Sequence, residues 1–175
     1  MKLVNELKPY RQGDLDWLCS VYAAINLRQL SDGKMDEHEA AILFKILVQR
    51  IVAEGDLPKV LLSGIRHYAD DDMTWLLKSA GLKDVERHKW NSVSQLDSYL
   101  KEHSGVVLFF KGPDAGQTHY TTVRSGSRSD CFKLFDSWKY DSIELDTKAG
   151  QLGISGRPIN PIALWTAGSS RFKNH

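Results

Sequence analysis

The sequence predicts an α+β fold in which helices come first and antiparallel strands follow. Between residues 17 and 103 apolar side chains recur with a helical period, whereas after Gly105 they fall in short runs bounded by turn residues. Because the two patterns occupy separate parts of the chain and do not alternate, we expect an antiparallel sheet and not a doubly wound parallel one. A chain of 175 residues, 42% of them hydrophobic, is typical of one domain, here residues 1–175.

The first two predicted helices are the longest. One covers residues 17–30 and follows Asp14 and Asp16, which are candidate capping carboxylates. The other covers residues 36–54, and its apolar set is wide enough that we expect the helix to be mostly buried. That set comprises Ala40, Ile42, Leu43, Ile46, Leu47, Val48 and Ile51.

Shorter elements fill the rest of the chain. Residues 57–80 predict two helices, and Ser92 or Ser94 caps a further helix that ends near residue 103. The apolar run 106–110 predicts a buried strand, and the turn sequence 125–127 separates the two strands that come next. The remaining predicted strands cover residues 119–124, 131–138, 142–145 and 161–165, with residues 85–90 as an additional strand.

Charge and motif content narrow the possible functions. Lys and Arg number 23 against 22 for Asp and Glu, a net charge of +1, which gives no electrostatic reason to expect nucleic acid as a partner. The chain contains no Gly-rich phosphate loop and no Cys-x-x-Cys or His-Glu-x-x-His spacing, so we expect neither a cofactor nor a metal. Its polar start and short apolar stretches favour a cytoplasmic protein without membrane insertion, with leaderless export as the remaining route.

The sharpest chemical signal is the segment from Gln12 to Cys19, which places a thiol at the predicted start of the first helix. A helix N-terminus carries about half a positive charge, which favours a thiolate over a thiol. Cys19 is therefore a candidate nucleophile, and a small buried apolar cysteine is the alternative. Cys131 lies within a predicted strand, and Asn26 lies further along the first helix; we expect structural roles for both.

A candidate base and an orienting group lie on consecutive predicted strands. His119 opens one strand, and Asp136 ends the next. Two antiparallel strands joined by a turn can place these side chains next to each other, so that Asp136 fixes the tautomer and orientation of the imidazole. The alternatives are a core histidine that satisfies one hydrogen bond and an aspartate that begins a turn.

This order of residues resembles that of the papain-like cysteine peptidases, in particular the small bacterial C39-like domains related to double-glycine leader peptidases. The shared pattern consists of Gln12, Cys19 at a helix start, His119 opening a strand and Asp136 on the following strand. An apolar strand and a glycine-containing loop precede the histidine in both. The resemblance covers roughly residues 12–138 and implies a papain-like fold, no cofactor, and a protein or peptide substrate.

The resemblance also implies a role for each residue. Cys19 would be the nucleophile, His119 the base and proton donor, and Asp136 the group that orients His119. The side-chain amide of Gln12 would help to bind the developing oxyanion. Gln12 lies seven residues before Cys19, one more than the usual papain-like spacing, so backbone groups of the two residues before Cys19 are the alternative donors.

The expected reaction is thiol-dependent acyl transfer, with hydrolysis of a peptide, isopeptide or side-chain amide as its leading form. A triad determines how the carbonyl is attacked but not which group accepts the acyl chain, so a deamidase or an acyltransferase stays open. A third possibility, of a different class, is an inactive papain-like fold that serves as a binding module.

Overall fold

The computed structural model describes residues 9, 18–54, 72–112, 118–128, 131–136, 141–146 and 150–168. Within these ranges the helices are α1 (Cys19–Asp32), α2 (Glu37–Ala53), α3 (Asp72–Ser79) and α4 (Val93–Glu102). The strands are β1 (Lys83–Lys89), β2 (Val106–Lys111), β3 (Thr118–Arg128), β4 (Cys131–Phe135), β5 (Ser142–Asp146), β6 (Gln151–Ile154), β7 (Arg157–Pro158) and β8 (Asn160–Gly168).

The described strands form one antiparallel sheet in the order β1-β8-β2-β3-β4-β5-β6-β7. From β2 to β7 each strand pairs with the next one in the chain, and β8 returns to lie between β1 and β2. The predicted α+β class is therefore confirmed. The separation of helices from strands is not complete, since β1 precedes α4 in the chain.

Both faces of the central strands are covered. Val107 and Phe109 of β2 pack in a core with α1, α2 and α3, whereas the other apolar residues of β2 pack in a second core with α4. Side chains alternate between the two faces of a strand, so a strand buried on both faces needs apolar residues at every position. This requirement explains the uninterrupted apolar run of residues 106–110.

The predicted turn at residues 125–127 is wrong. Strand β3 continues through these residues to Arg128, and they form an irregularity in its pairing with β4. Between the pairs Arg124–Lys133 and Arg128–Cys131, β3 advances four residues while β4 advances two. The extra length is absorbed within the strand and needs no turn there.

Two strands were missed by the sequence analysis. Strands β6 and β7 form a hairpin closed by Ser155 and Gly156, whose φ angles are 52° and 73°. Two consecutive residues with positive φ are typical of the type I′ turn that joins closely paired strands. The strands are short, and their burial patterns contain only two buried residues in β6 and none in β7, so periodicity gives little signal.

Helix boundaries agree closely with the prediction, but burial does not. Asp36 caps α2 by accepting from the backbone N–H of Glu39, and Ser92 caps α4 in the same way. The expectation that α2 is mostly buried is wrong for Ile42 and Ile46, which are 48% and 40% exposed. The buried residues of α2 are Ala40, Leu47 and Ile51. The first of the two helices expected in residues 57–80 lies outside the described residues, and the second is α3.

Adjacent residues of α2 therefore provide a direct test of how this helix packs. Ile46 precedes Leu47 by one residue and points about 100° away from it around the helix. Leu47→Ala should lower the free energy of unfolding by about 2–5 kcal/mol, because it leaves a cavity in the core. Ile46→Gln should change that free energy by no more than about 0.5 kcal/mol. Urea denaturation of both variants checks the prediction, and equal losses would contradict the packing of α2 described above.

Candidate active site

Cys19 is the first residue of α1 and is buried, with 6% of its surface exposed. Leu18 occupies the N-cap position, where its side chain makes no capping hydrogen bond. The first turn of α1 contains no acidic residue, so nothing within the turn neutralises the partial positive charge of the helix terminus. The predicted caps Asp14 and Asp16 lie outside the described residues.

His119 and Asp136 lie side by side. Strand β3 pairs with β4 through Thr122 and Phe135, so the end of β4 lies beside the start of β3. The Nε2 atom of His119 lies 2.8 Å from Oδ1 of Asp136, the distance of a strong hydrogen bond. Both residues are buried, with exposures of 3% and 1%.

The pKa of His119 reflects three influences. Burial lowers it, because an imidazolium loses its hydration. The charge of Asp136 and its hydrogen bond act in the opposite direction, as do a hydrogen bond and charge from Cys19. The raising influences prevail, and the pKa of His119 rises from 6.5 to about 10. The raised pKa favours the imidazolium form of His119 at neutral pH.

The imidazolium lies between two partners. Its Nε2–H donates to the carboxylate of Asp136, and the charge and hydrogen bonding of Cys19 also favour the protonated ring. Protonated histidine donates from both nitrogens, whereas neutral histidine donates from only one. With Nε2 donating to Asp136, the second proton of the imidazolium is on Nδ1.

Two aromatic contacts lie near the site. Phe110 meets the imidazole of His119 edge to face at 5.7 Å between ring centres. Tyr120 stacks on Phe109 at 4.4 Å, and burial, followed by the negative charges of Cys19 and Asp72, raises the pKa of Tyr120. The phenol therefore stays neutral near the thiol. Sequence reasoning missed Tyr120, because an aromatic residue in a strand is most often part of a core.

Roles for Gln12 and Cys131 are also predicted from the sequence. Gln12, the candidate oxyanion donor, lies outside the described residues. Cys131 is the first residue of β4, is partly buried, and precedes Asp136 by five residues. At about 3.3 Å per residue, a thiol there lies about 16 Å along the chain from Asp136. The structure thus brings together Cys19, His119 and Asp136, and it separates Cys131 from them.

The described residues contain no group of three His, Cys, Asp or Glu side chains that could hold a metal ion. None of the helices in the described ranges is long and apolar enough to cross a membrane.

Comparisons with known proteins add no further support for a family. A scan against protein-family models found no match to this chain, and a search of curated proteins found none either. The resemblance to papain-like peptidases therefore rests on the order of the site residues in the sequence alone.

The charge state of His119 can be measured directly. Among the six histidines, the resonance of His119, assigned with His119→Gln, should titrate near pH 10 in histidine-labelled NMR spectra. In Asp136→Asn the midpoint should fall well below 10, because the carboxylate charge no longer opposes burial. A wild-type midpoint near 6.5 would contradict the buried imidazolium.

The free energy of unfolding should depend on pH in the direction that the raised pKa of His119 implies. A group whose pKa is raised on folding stabilises the native state fully below its unfolded pKa, here 6.5, and loses that contribution as pH rises through about 10. The difference in unfolding free energy between wild type and His119→Gln should therefore shrink from pH 7 to pH 10. Denaturation of both proteins at pH values across this range measures that difference.

Proposed function

We propose that this protein is a thiol-dependent acyl-transfer enzyme of papain-like architecture, and that it acts as a cysteine peptidase or amidase. The observation that carries the proposal is the buried hydrogen bond between His119 and Asp136, with Cys19 as the second partner of the same imidazole. Nucleophilic catalysis needs a thiol beside a base that a third group orients. A histidine that only fills a core needs neither the thiol nor the carboxylate.

The first step follows from the positions of the charges. The sulfur of Cys19 attacks the carbonyl carbon of the substrate, forming a C–S bond and moving an electron pair onto the carbonyl oxygen. The positive end of α1 lies at the same point and favours that oxyanion. The C–N bond then breaks as His119 gives its Nδ1 proton to the departing amine, and a thioester on Cys19 remains.

The second step uses the same histidine in the opposite role. After His119 has given up its proton it is neutral, and the thioester carries no charge that would favour the imidazolium. Neutral His119 takes a proton from water as the water oxygen attacks the thioester carbon. The C–S bond breaks, the acid is released, and the thiolate–imidazolium pair forms again. Asp136 keeps the ring aligned through both steps.

The acceptor of the acyl group distinguishes the members of this reaction class. With water as the acceptor, a peptide or isopeptide is hydrolysed, and a glutamine or asparagine side chain is deamidated. With an amine as the acceptor, a new amide forms. A binding module with the same fold would give none of these products.

Intact mass spectrometry separates these outcomes in one experiment. The protein is incubated with a defined peptide mixture that contains Gln, Asn and Lys side chains, in parallel with Cys19→Ala and His119→Ala. The control is Cys131→Ser, which removes the other thiol and should be fully active. Cleavage, a one-mass-unit gain or a conjugate that requires Cys19 and His119 supports the proposal and names the acceptor. Products that persist in Cys19→Ala would contradict it.

Alkylation tests the nucleophile without any substrate. Iodoacetamide should label Cys19 faster than Cys131, although Cys131 is the more exposed of the two thiols. Labelling should already proceed at about pH 6, where a free thiol of pKa ~8.5 is almost wholly protonated. His119→Ala should move the reactivity to higher pH, since the helix terminus alone supplies only part of the stabilisation.

The check is the pH profile of the alkylation rate. It is measured by mass spectrometry from about pH 4 to 10 in a Cys131→Ser background. Identical profiles for the histidine-containing and His119→Ala proteins would show that no thiolate–imidazolium pair exists at rest. Faster labelling of Cys131 than of Cys19 in the wild-type chain would reverse the assignment of the two thiols.

A further inference from the structure

The three site residues lie on three separate parts of the fold. Pairing between β3 and β4 fixes His119 relative to Asp136, because backbone hydrogen bonds join the two strands. Helix α1 takes no part in that ladder, yet it carries Cys19. The position of the thiol relative to the imidazole therefore depends on contacts between α1 and the sheet. Small displacements matter here, since a misplacement of about 1 Å can cost about 100-fold in rate.

One of these contacts is a hydrogen bond from Asn26 to the end of β4. Asn26 lies on α1 seven residues after Cys19, which is close to two full turns, so both side chains point to the same side of the helix. Its Nδ2 donates to the backbone carbonyl of Phe135 at 3.2 Å, and Asn26 is fully buried. Phe135 is the last residue of β4 and directly precedes Asp136.

A second buried hydrogen bond lies beside the first. The hydroxyl of Thr122 on β3 donates to the backbone carbonyl of Ala23 on α1 at 2.9 Å, and Thr122 is fully buried. Thr122 is the residue that pairs with Phe135 across the ladder. Ala23, Asn26, Thr122 and Phe135 thus form one group, which we call the α1 clamp. The two hydrogen bonds join α1 to one residue pair of the β3–β4 ladder. Helix α1 donates in the first bond and accepts in the second.

We infer that Asn26 is a positioning residue, whose hydrogen bond to Phe135 holds α1, and with it Cys19, at a fixed distance from the His119–Asp136 pair. This inference rests on the proposed function. Strand β4 ends at Phe135, so Asn26 holds the chain at the point where Asp136 leaves the ladder. A hydrogen bond restricts both distance and direction, whereas an apolar side chain of the same volume would fill the space without restricting either.

The test compares Asn26→Leu with a matched control on the same sheet. Leucine has a similar volume and no donor. The control is Ser125→Ala, which removes another side-chain hydrogen bond of β3. Ser125 Oγ donates to the Leu100 carbonyl at 3.2 Å. This bond joins β3 to α4 and not to α1. Both are made in a Cys131→Ser background. The readout is the rate of Cys19 alkylation as a function of pH, with the thermal midpoint as a measure of folding.

Asn26→Leu should reduce the alkylation rate at about pH 6 by tenfold or more and move the pH profile towards that of His119→Ala. Ser125→Ala should lower the thermal midpoint and leave the profile unchanged. A purely structural role predicts the reverse for Asn26→Leu, a lower midpoint with an unshifted profile, and that result would overturn the inference.

Asn26→Asp keeps the test decisive if Asn26→Leu does not fold. A neutral carboxyl group can still donate to the Phe135 carbonyl, whereas an ionised one cannot and repels it. The alkylation rate relative to wild type should therefore be close to one at low pH and fall as the introduced carboxyl ionises. A ratio that does not change with pH would overturn the inference. Since alkylation needs no substrate, absence of acyl transfer in the mass assay would overturn the proposed function alone.

Discussion

The buried pair of His119 and Asp136 is the constraint on which the candidate site depends. Burial of a charged group is costly unless an opposite charge and a hydrogen bond replace the lost water, and here both come from the same partner. Asp136 offsets the effect of burial, which on its own would lower the pKa of His119. Loss of either residue leaves the other as an isolated buried group. Stability therefore favours packing that keeps the two side chains in contact.

Apolar packing on both faces of the sheet holds β3 and β4, and with them His119 and Asp136, in position. The apolar residues of β2 pack alternately into the two cores, and β2 pairs with β3 along six consecutive residues from Val106 to Lys111. A shift of one residue in this register would turn every side chain of a strand to the opposite face. Such a shift would move His119 away from Asp136 as well as exposing apolar surface. The same packing that stabilises the sheet thus also preserves the ion pair.

The parts of the site that could be predicted are those that depend on local sequence. A thiol at a helix start, and a histidine and an aspartate on consecutive strands, follow from periodicity and chain order. The hydrogen bond from Asn26 to Phe135 joins residues 109 positions apart, and no local pattern predicts such a contact. Exposure of Ile42 and Ile46 was mispredicted for a related reason. Periodicity shows which side chains are apolar, but not which of them another element covers.

The two thiols of the chain show why non-local contacts decide the chemistry. Cys131 is the more accessible thiol, and if exposure alone governed reactivity it would be the nucleophile. A thiol, however, reacts as its thiolate, and a thiolate needs positive charge close by. Cys19 receives that charge from two sources, the local start of α1 and the distant imidazolium of His119. The first is present at many helix starts and confers no function by itself. The second reaches Cys19 only because β3, the end of β4 and α1 meet at one point. The proposed role of Cys19 as a nucleophile therefore depends on the packing of α1 against the sheet.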